Sequence, residues 1–275
     1  MPTVPQHTQL GTLGAVCRLG LATRGNTHLS PDDVHHAVER GVNYLNWCAR
    51  CDGMSQAIRD MSDAQRRDVF VAAQFMARTA DSAKRELDEM LAELGTEYID
   101  VLTYYYVEHE DEWRQIIGRG GAADMLEDAR STGQVRAIGM TTHQRPLAAT
   151  VAQSGRLDML MVRYNAAHRG AEEEVFPVTE PRGMPVVAFT ITRWGALAKP
   201  TPADPPAFNP PPTPQWYRFA LQHPAVTVAI MAPNGREQLD ENLTILDDWR
   251  TLTDKELETL AAHGQRVREH AGRFP

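Results

Sequence analysis

Residues 94–105 read L-G-T-E-Y-I-D-V-L-T-Y-Y, and two elements meet in them. The segment before, residues 80–94, carries apolar side chains at helical spacing, and Gly95 supplies the residue type that stops such a helix. The segment after, residues 99–105, is a short run rich in β-branched, apolar and aromatic residues, the length of a strand. A helix that runs through a glycine stop into a strand is the joint from which α/β folds are assembled.

Outward from that joint the pattern repeats. Strands are predicted over residues 18–23, 43–47, 69–74, 99–105, 135–141, 159–164, 185–189 and 227–231. Ser30 caps a predicted helix with Pro31 at its first position, which runs to about Arg40 and ends at Gly41. Further helices are predicted over 80–94, over 111–132 around the glycine-rich break at 118–121, and over 145–154, 172–182, 214–223 and 236–247. Eight strands alternating with helices predict an α/β fold, a (β/α)8 TIM barrel, with residues 254–272 as an additional C-terminal helix. A doubly wound open sheet is the runner-up, weakened because no G-x-G-x-x-G opens the first helix. The 275 residues suit one such domain, expected to span 1–275. The proline-rich stretch 200–214 reads as an extended surface loop after strand seven.

The formal net charge of -8 argues against a nucleic-acid partner, which would need a basic face. Residues 1–13 lack the cationic start and apolar run of a leader, and no apolar stretch is long enough for a bilayer. A cytoplasmic protein acting on a small molecule is expected, with no membrane contact; the oligomeric state is not legible. Only Lys84, Lys199 and Lys255 are lysines.

Seven segments resemble the aldo/keto reductase superfamily, in order and at its spacing. They are V-C-R-L-G-L-A-T at 16–23, R-G-V-N-Y-L-N at 40–46, L-G-T-E-Y-I-D at 94–100, G-Q-V-R-A-I-G at 133–139, Y-N at 164–165, V-A-F-T-I-T-R-W-G-A-L at 187–197 and E-Q-L-D-E-N-L at 237–243. The resemblance implies a barrel that reduces carbonyl compounds by hydride from NADP or NAD. It also implies a tyrosine proton donor tuned by a lysine and an aspartate, with a histidine orienting the substrate. A phenol near pKa 10 exchanges protons poorly at neutral pH, so a nearby cation is needed.

This chain departs from the family at all four positions. Asn46 stands for the aspartate, Cys51 or Asp52 for the tyrosine, Gln74 for the lysine and Tyr105 for the histidine. None of the three lysines falls at a strand end. Tyr105, His143 and Cys51 are therefore the candidate proton handlers, beside Asn46 and Gln74. For the nucleotide, the resemblance points to Thr141 and Thr142 after strand five, Asn165 after strand six, Phe189 as the flat apolar face, Arg193, and Gln238 and Asn242 at the adenosine end. Asn234 takes the place of the basic residue expected for a 2′-phosphate, with Arg236 two residues on.

Other readings stay open. Cys48 and Cys51 form a C-x-x-C that suits a redox pair or a metal shared with His109 or His143, against two plain reduced thiols. No second ligand pair completes a zinc site, so no metal is expected. Tyr104, Tyr105 and Tyr106 are either aromatic packing or a displaced donor. The acidic run 107–113 is either a solvated helix entry or a means of placing His109 over the pocket. His168, Arg163 and Arg193 suit an anionic substrate group, unless the arginines pair with helix carboxylates. Two further functions compete with the oxidoreductase: a non-redox isomerase or lyase, Cys- or metal-dependent, and a binding protein without catalysis whose mouth Trp47, Trp194 and Trp216 fill.

Overall fold

In the computed structural model, residues 5–23 and 28–270 are described. An N-terminal antiparallel hairpin, β1 (His7–Gln9) and β2 (Ala15–Cys17), precedes the barrel. The elements then follow in order: β3 (Leu19–Ala22), α1 (Pro31–Glu39), β4 (Tyr44–Trp47), α2 (Gly53–Asp60), α3 (Asp63–Asp68), β5 (Phe70–Phe75), α4 (Ala80–Leu94), β6 (Ile99–Tyr104), α5 (Glu110–Ile117) and α6 (Ala122–Ser131). The second half holds β7 (Val135–Thr142), α7 (Arg145–Gln153), β8 (Met159–Arg163), α8 (Ala171–Glu174), α9 (Phe176–Thr179), β9 (Val186–Phe189), α10 (Thr213–Gln222), β10 (Val228–Met231), α11 (Arg236–Asp247) and α12 (Asp254–His270). Strands β3 to β10 pair in parallel and close, β10 hydrogen-bonding to both β9 and β3. This is the predicted (β/α)8 barrel with its additional C-terminal helix, of which residues 271 and 272 lie outside the described residues.

Local chemistry explains the elements. Ser30 caps α1 in a capping box with Asp33, and Thr79 caps α4, which Gly95 closes in the left-handed conformation (φ 61°). The glycine-rich break splits the long helical stretch into α5 and α6 at Gly118–Gly121. Two features were not foreseen. The hairpin β1–β2 lies ahead of the predicted first strand and carries no prediction, and neither do α2 and α3, although Asp52 and Ser62 form capping boxes that announce them.

The core has two parts. Side chains such as Tyr44, Ala72, Val101, Ala137, Met159, Val187 and Val228 fill the barrel, and a larger cluster lies between barrel and helices. Gly20 lets the wall close: a Cβ there would lie 2.9 Å from Val228 Cγ1 and 3.0 Å from Tyr44 Cδ1. Ion pairs tie the strand starts. Asp100, fully buried, accepts from Arg66 (2.8 Å), Arg136 (2.7 Å) and the Val71 amide (3.0 Å). Arg18 donates to the Leu221 and Val226 carbonyls at 2.7 and 2.6 Å, and burial pushes it down to about 10. No helix among the described residues is long and apolar enough to cross a membrane.

Candidate active site

At the C-terminal ends of the strands, where barrels of this kind place function, a cavity of about 600 Å³ opens. Its floor is a chain of neutral polar groups. Gln74 Nε2 donates to Asn46 Oδ1 at 2.9 Å, and Thr141 Oγ1 donates to Gln74 Oε1 at 2.9 Å. Met161 Sδ lies 3.3 Å from Gln74 Nε2. Strands β4, β5, β7 and β8 thus each give one inward-facing residue. All four are buried, so their mutual bonds satisfy groups that burial would otherwise penalise. Tyr105 lines the same cavity. The three residues on which the sequence reading turned, Asn46, Gln74 and Tyr105, share one opening. Of the described residues lining it, none is a lysine.

One wall is aromatic. Tyr105 and Tyr106 have ring centroids 4.0 Å apart, Tyr106 and His143 4.5 Å, and His143 and Phe189 5.5 Å. Strand alternation sends Tyr104 outward against Phe75 and Trp113. It sends Tyr105 into the mouth and fails only at Tyr106, which adopts φ 42° and turns into the mouth as well. Burial, with help from Tyr105, pushes the Tyr106 phenol well above its ordinary value.

His143 follows β7, and its Nδ1 lies 3.1 Å from Glu108 Oε1, which also accepts from the His143 amide at 2.9 Å. The other Glu108 oxygen accepts from Gln144 Nε2 at 3.1 Å. Burial lowers the His143 pKa, Glu108 opposes that and Arg163 adds to it.

The outer end of the cavity is built by α11. Gln238, Glu241 and Asn242 line it, at helical spacings that put them on one face. Asn242 Oδ1 is buried without a hydrogen-bond partner. The loop after β9 completes the rim with Thr190, Thr192, Trp194 and Gly195. Thr190 (φ 59°), Arg193 (φ 50°) and Trp194 (φ 53°) are left-handed there, conformations that L-residues adopt only at a cost.

Several expected site residues lie elsewhere. Cys51 is exposed beside Glu93, in a surface groove with Met76, Arg85 and Glu89, because it precedes the cap of α2; Cys48 lines the mouth, and no disulfide joins the two. The shared Cys–His metal centre is not assembled, and no group of three His, Cys, Asp or Glu that could hold a metal occurs among the described residues. Thr142 faces away from the cavity, its Oγ1 accepting from the Gln144 amide. Asn165 is fully buried and spends its amide on stapling two loops, donating to the Thr190 carbonyl at 2.8 Å and accepting from the Ala167 amide at 2.9 Å. Arg193 does not line the cavity, and Arg236 is drawn to Asp240 (3.1 Å) and Asp33 (3.5 Å). His109 opens α5 rather than overhanging the pocket. His168 sits against Asn165, outside the lining. Trp47 and Trp216 are buried under the helices, so the mouth is not plugged by them.

Sequence reasoning missed the Glu108–His143 contact and Glu241. Nothing in the acidic run 107–113 separates Glu108 from its neighbours. For Glu241 a signal existed, in its i+3 spacing from Gln238.

Comparison with known proteins bears on this geometry. The sequence profile of the Aldo/keto reductase family matches residues 18–216. Pyridoxal 4-dehydrogenase of Microbacterium luteolum is 24% identical over 215 residues, 67% of this chain and 62% of that protein. NADH-specific methylglyoxal reductase of Escherichia coli (strain K12) is 26% identical over 121 residues, 42% of this chain and 35% of that protein. The chain thus spans less than two thirds of the length of either relative. Among solved structures, the holo form of aldo-keto reductase AKR11C1 from Bacillus halodurans superposes with a TM-score of 0.75 at 18% identity, covering 95% of this chain and 96% of that one. Its apo form gives 0.75 at 19%, covering 95% of each. At that identity the likeness speaks for the fold alone.

Proposed function

This chain belongs to the aldo/keto reductase family, and from that premise we propose that it is a cytoplasmic, nicotinamide-nucleotide-dependent oxidoreductase of a small carbonyl compound or the matching alcohol. The observation that carries the reading is one cavity joining the Asn46–Gln74–Thr141 floor to the partnerless Asn242 acceptor about α11. Its volume is within the range of small-molecule sites, roughly 300–1,000 Å³.

The lining fits a dinucleotide. A buried acceptor without a partner suits an amino donor such as that of adenine, and Phe189 offers a flat apolar face at the barrel end. When bound, the nicotinamide supplies or accepts the hydride. The chain's own residues do the rest. Asn46 and Gln74 orient the reacting oxygen with neutral amide groups, and the aromatic wall excludes water beside it. Thr142, Asn165, Arg193, Arg236 and Cys51 take no part in this proposal.

The same lining favours NAD over NADP. Glu241 at the outer end suits a ribose diol and repels a 2′-phosphate, and Arg236 is already engaged by two carboxylates. Calorimetric titration with NAD and NADP tests this, with tighter binding of NAD expected by tenfold or more, on the order of 1.4 kcal/mol. Glu241→Gln should narrow that difference. Binding of neither nucleotide would remove the proposal. Pyridoxal and methylglyoxal, the compounds named in the two relatives, are the first substrates to assay.

A further inference from the structure

The floor can orient an oxygen but cannot exchange a proton with it. Asn46, Gln74 and Thr141 do not titrate near neutral pH, and no lysine lines the cavity to tune Tyr105 or Tyr106. Hydride transfer to or from a carbonyl carbon needs a proton carrier at the oxygen. We infer that Glu108 and His143 form that carrier: His143 exchanges the proton with the substrate oxygen, and Glu108 is the positioning residue that holds the imidazole. The inference rests on the oxidoreductase reading above.

The geometry fixes the tautomer. A carboxylate only accepts, so Nδ1, 3.1 Å from Glu108 Oε1, carries its hydrogen. The lone pair of neutral His143 is then on Nε2, on a residue that lines the cavity. The Glu108 carboxylate is itself held by the His143 amide and by Gln144 Nε2, so it arrives pre-oriented. Tyr106 and Phe189 pack against the ring, and Arg163 at the end of β8 is the nearby cation. Burial and Arg163 keep the imidazole neutral at neutral pH, the state of a base.

The step balances. In alcohol oxidation the O–H bond breaks and its proton passes to His143 Nε2. The C–H bond breaks with both electrons leaving as hydride to the oxidised nicotinamide, and the C=O bond forms. The proton then passes to solvent. Reduction runs the same transfers backwards.

The test uses the full chain and four variants: His143→Gln, Glu108→Gln, Glu108→Asp and, as a control outside the mouth, Cys51→Ser. Histidine-ring NMR titration of the free protein should show His143 titrating lower in Glu108→Gln than in the wild type. With para-nitrobenzaldehyde and NADH, His143→Gln should lower kcat by about 100-fold or more, with KM and nucleotide affinity changed by less than about threefold. Glu108→Gln should shift the acid limb of the alcohol-oxidation profile to lower pH, Glu108→Asp should recover part of the rate, and Cys51→Ser should match the wild type. Identical NMR titration of His143 with and without the Glu108 carboxylate overturns the dyad, and so does an unchanged kcat in His143→Gln with nucleotide binding intact. A wild-type protein that binds neither nucleotide overturns the parent reading instead, and the proton role with it.

Discussion

Tyr44 stands near the start of β4 inside the barrel, fully buried, and its hydroxyl has no hydrogen-bond partner. Burial alone pushes this phenol far above its ordinary value. A buried donor left unmatched costs about 1–3 kcal/mol, and removing the polar atom returns part of it. Tyr44→Phe should therefore raise unfolding stability by about 1 kcal/mol, seen as a higher urea midpoint with an unchanged slope. A lower midpoint would mean that the hydroxyl is satisfied. His143 presents the opposite case. It is half-buried against the rings of Tyr106 and Phe189, but Glu108 accepts from its Nδ1 and leaves the other nitrogen at a cavity. Partnering, more than burial, separates a packing residue from a chemical one at this scale.

Among the elements, α12 shows how backbone proximity overrides propensity. Gly264 lies in the interior of this helix, where alanine is worth about 1 kcal/mol more. A Cβ there would approach the Ala166 carbonyl oxygen to 2.3 Å, inside the loop that follows β8. Overpacking against backbone costs roughly 1–3 kcal/mol, so Gly264→Ala should lower Tm despite its better helix propensity; a higher Tm would show that the helix slides freely. The neighbouring His263 anchors the same helix to the proline-rich loop. Its Nδ1 lies 2.9 Å from Asp204 and its Nε2 3.1 Å from the Leu197 carbonyl. Elements with strong local signals were legible in the sequence. Strand boundaries fell within a residue or so, and 80–94 and 236–247 matched α4 and α11. The hairpin was not, because three-residue strands carry too little periodicity to separate from the strand that follows. In the mouth, alternation made the inward facing of Asn46, Gln74 and Thr141 legible, whereas Thr142, one residue on, faces away. Pairings across loops, such as Glu108 with His143, depend on how two connections meet, and no local pattern encodes that.

Across the molecule, arginines from several elements gather about His168. His168 is pushed down to about 4, by burial first and then by Arg163, Arg193, Arg268 and Arg145. Burial also lowers His143 and His223. Each stays neutral in the fold while the unfolded chain takes up a proton below the ordinary histidine value of 6.5. The stability they lend is complete above that pH and is lost as pH falls toward 4, His168 covering the widest part of the window. Denaturant midpoints measured from about pH 7 to about pH 5 should fall steeply in the wild type and less steeply in His168→Asn. An identical slope in both would place the acid sensitivity elsewhere.

Of the five tryptophans, Trp194 alone is exposed, at 54%, and it stands on the rim of the cavity. Its indole emission overlaps the absorption of a reduced nicotinamide ring, whereas Trp47 and Trp216 emit from beneath the helices. The protein thus carries its own optical reporter at the entrance. Energy transfer out of that one fluorophore would register an arriving dinucleotide without any label, and Trp194→Phe would darken the signal while leaving the rest of the spectrum in place.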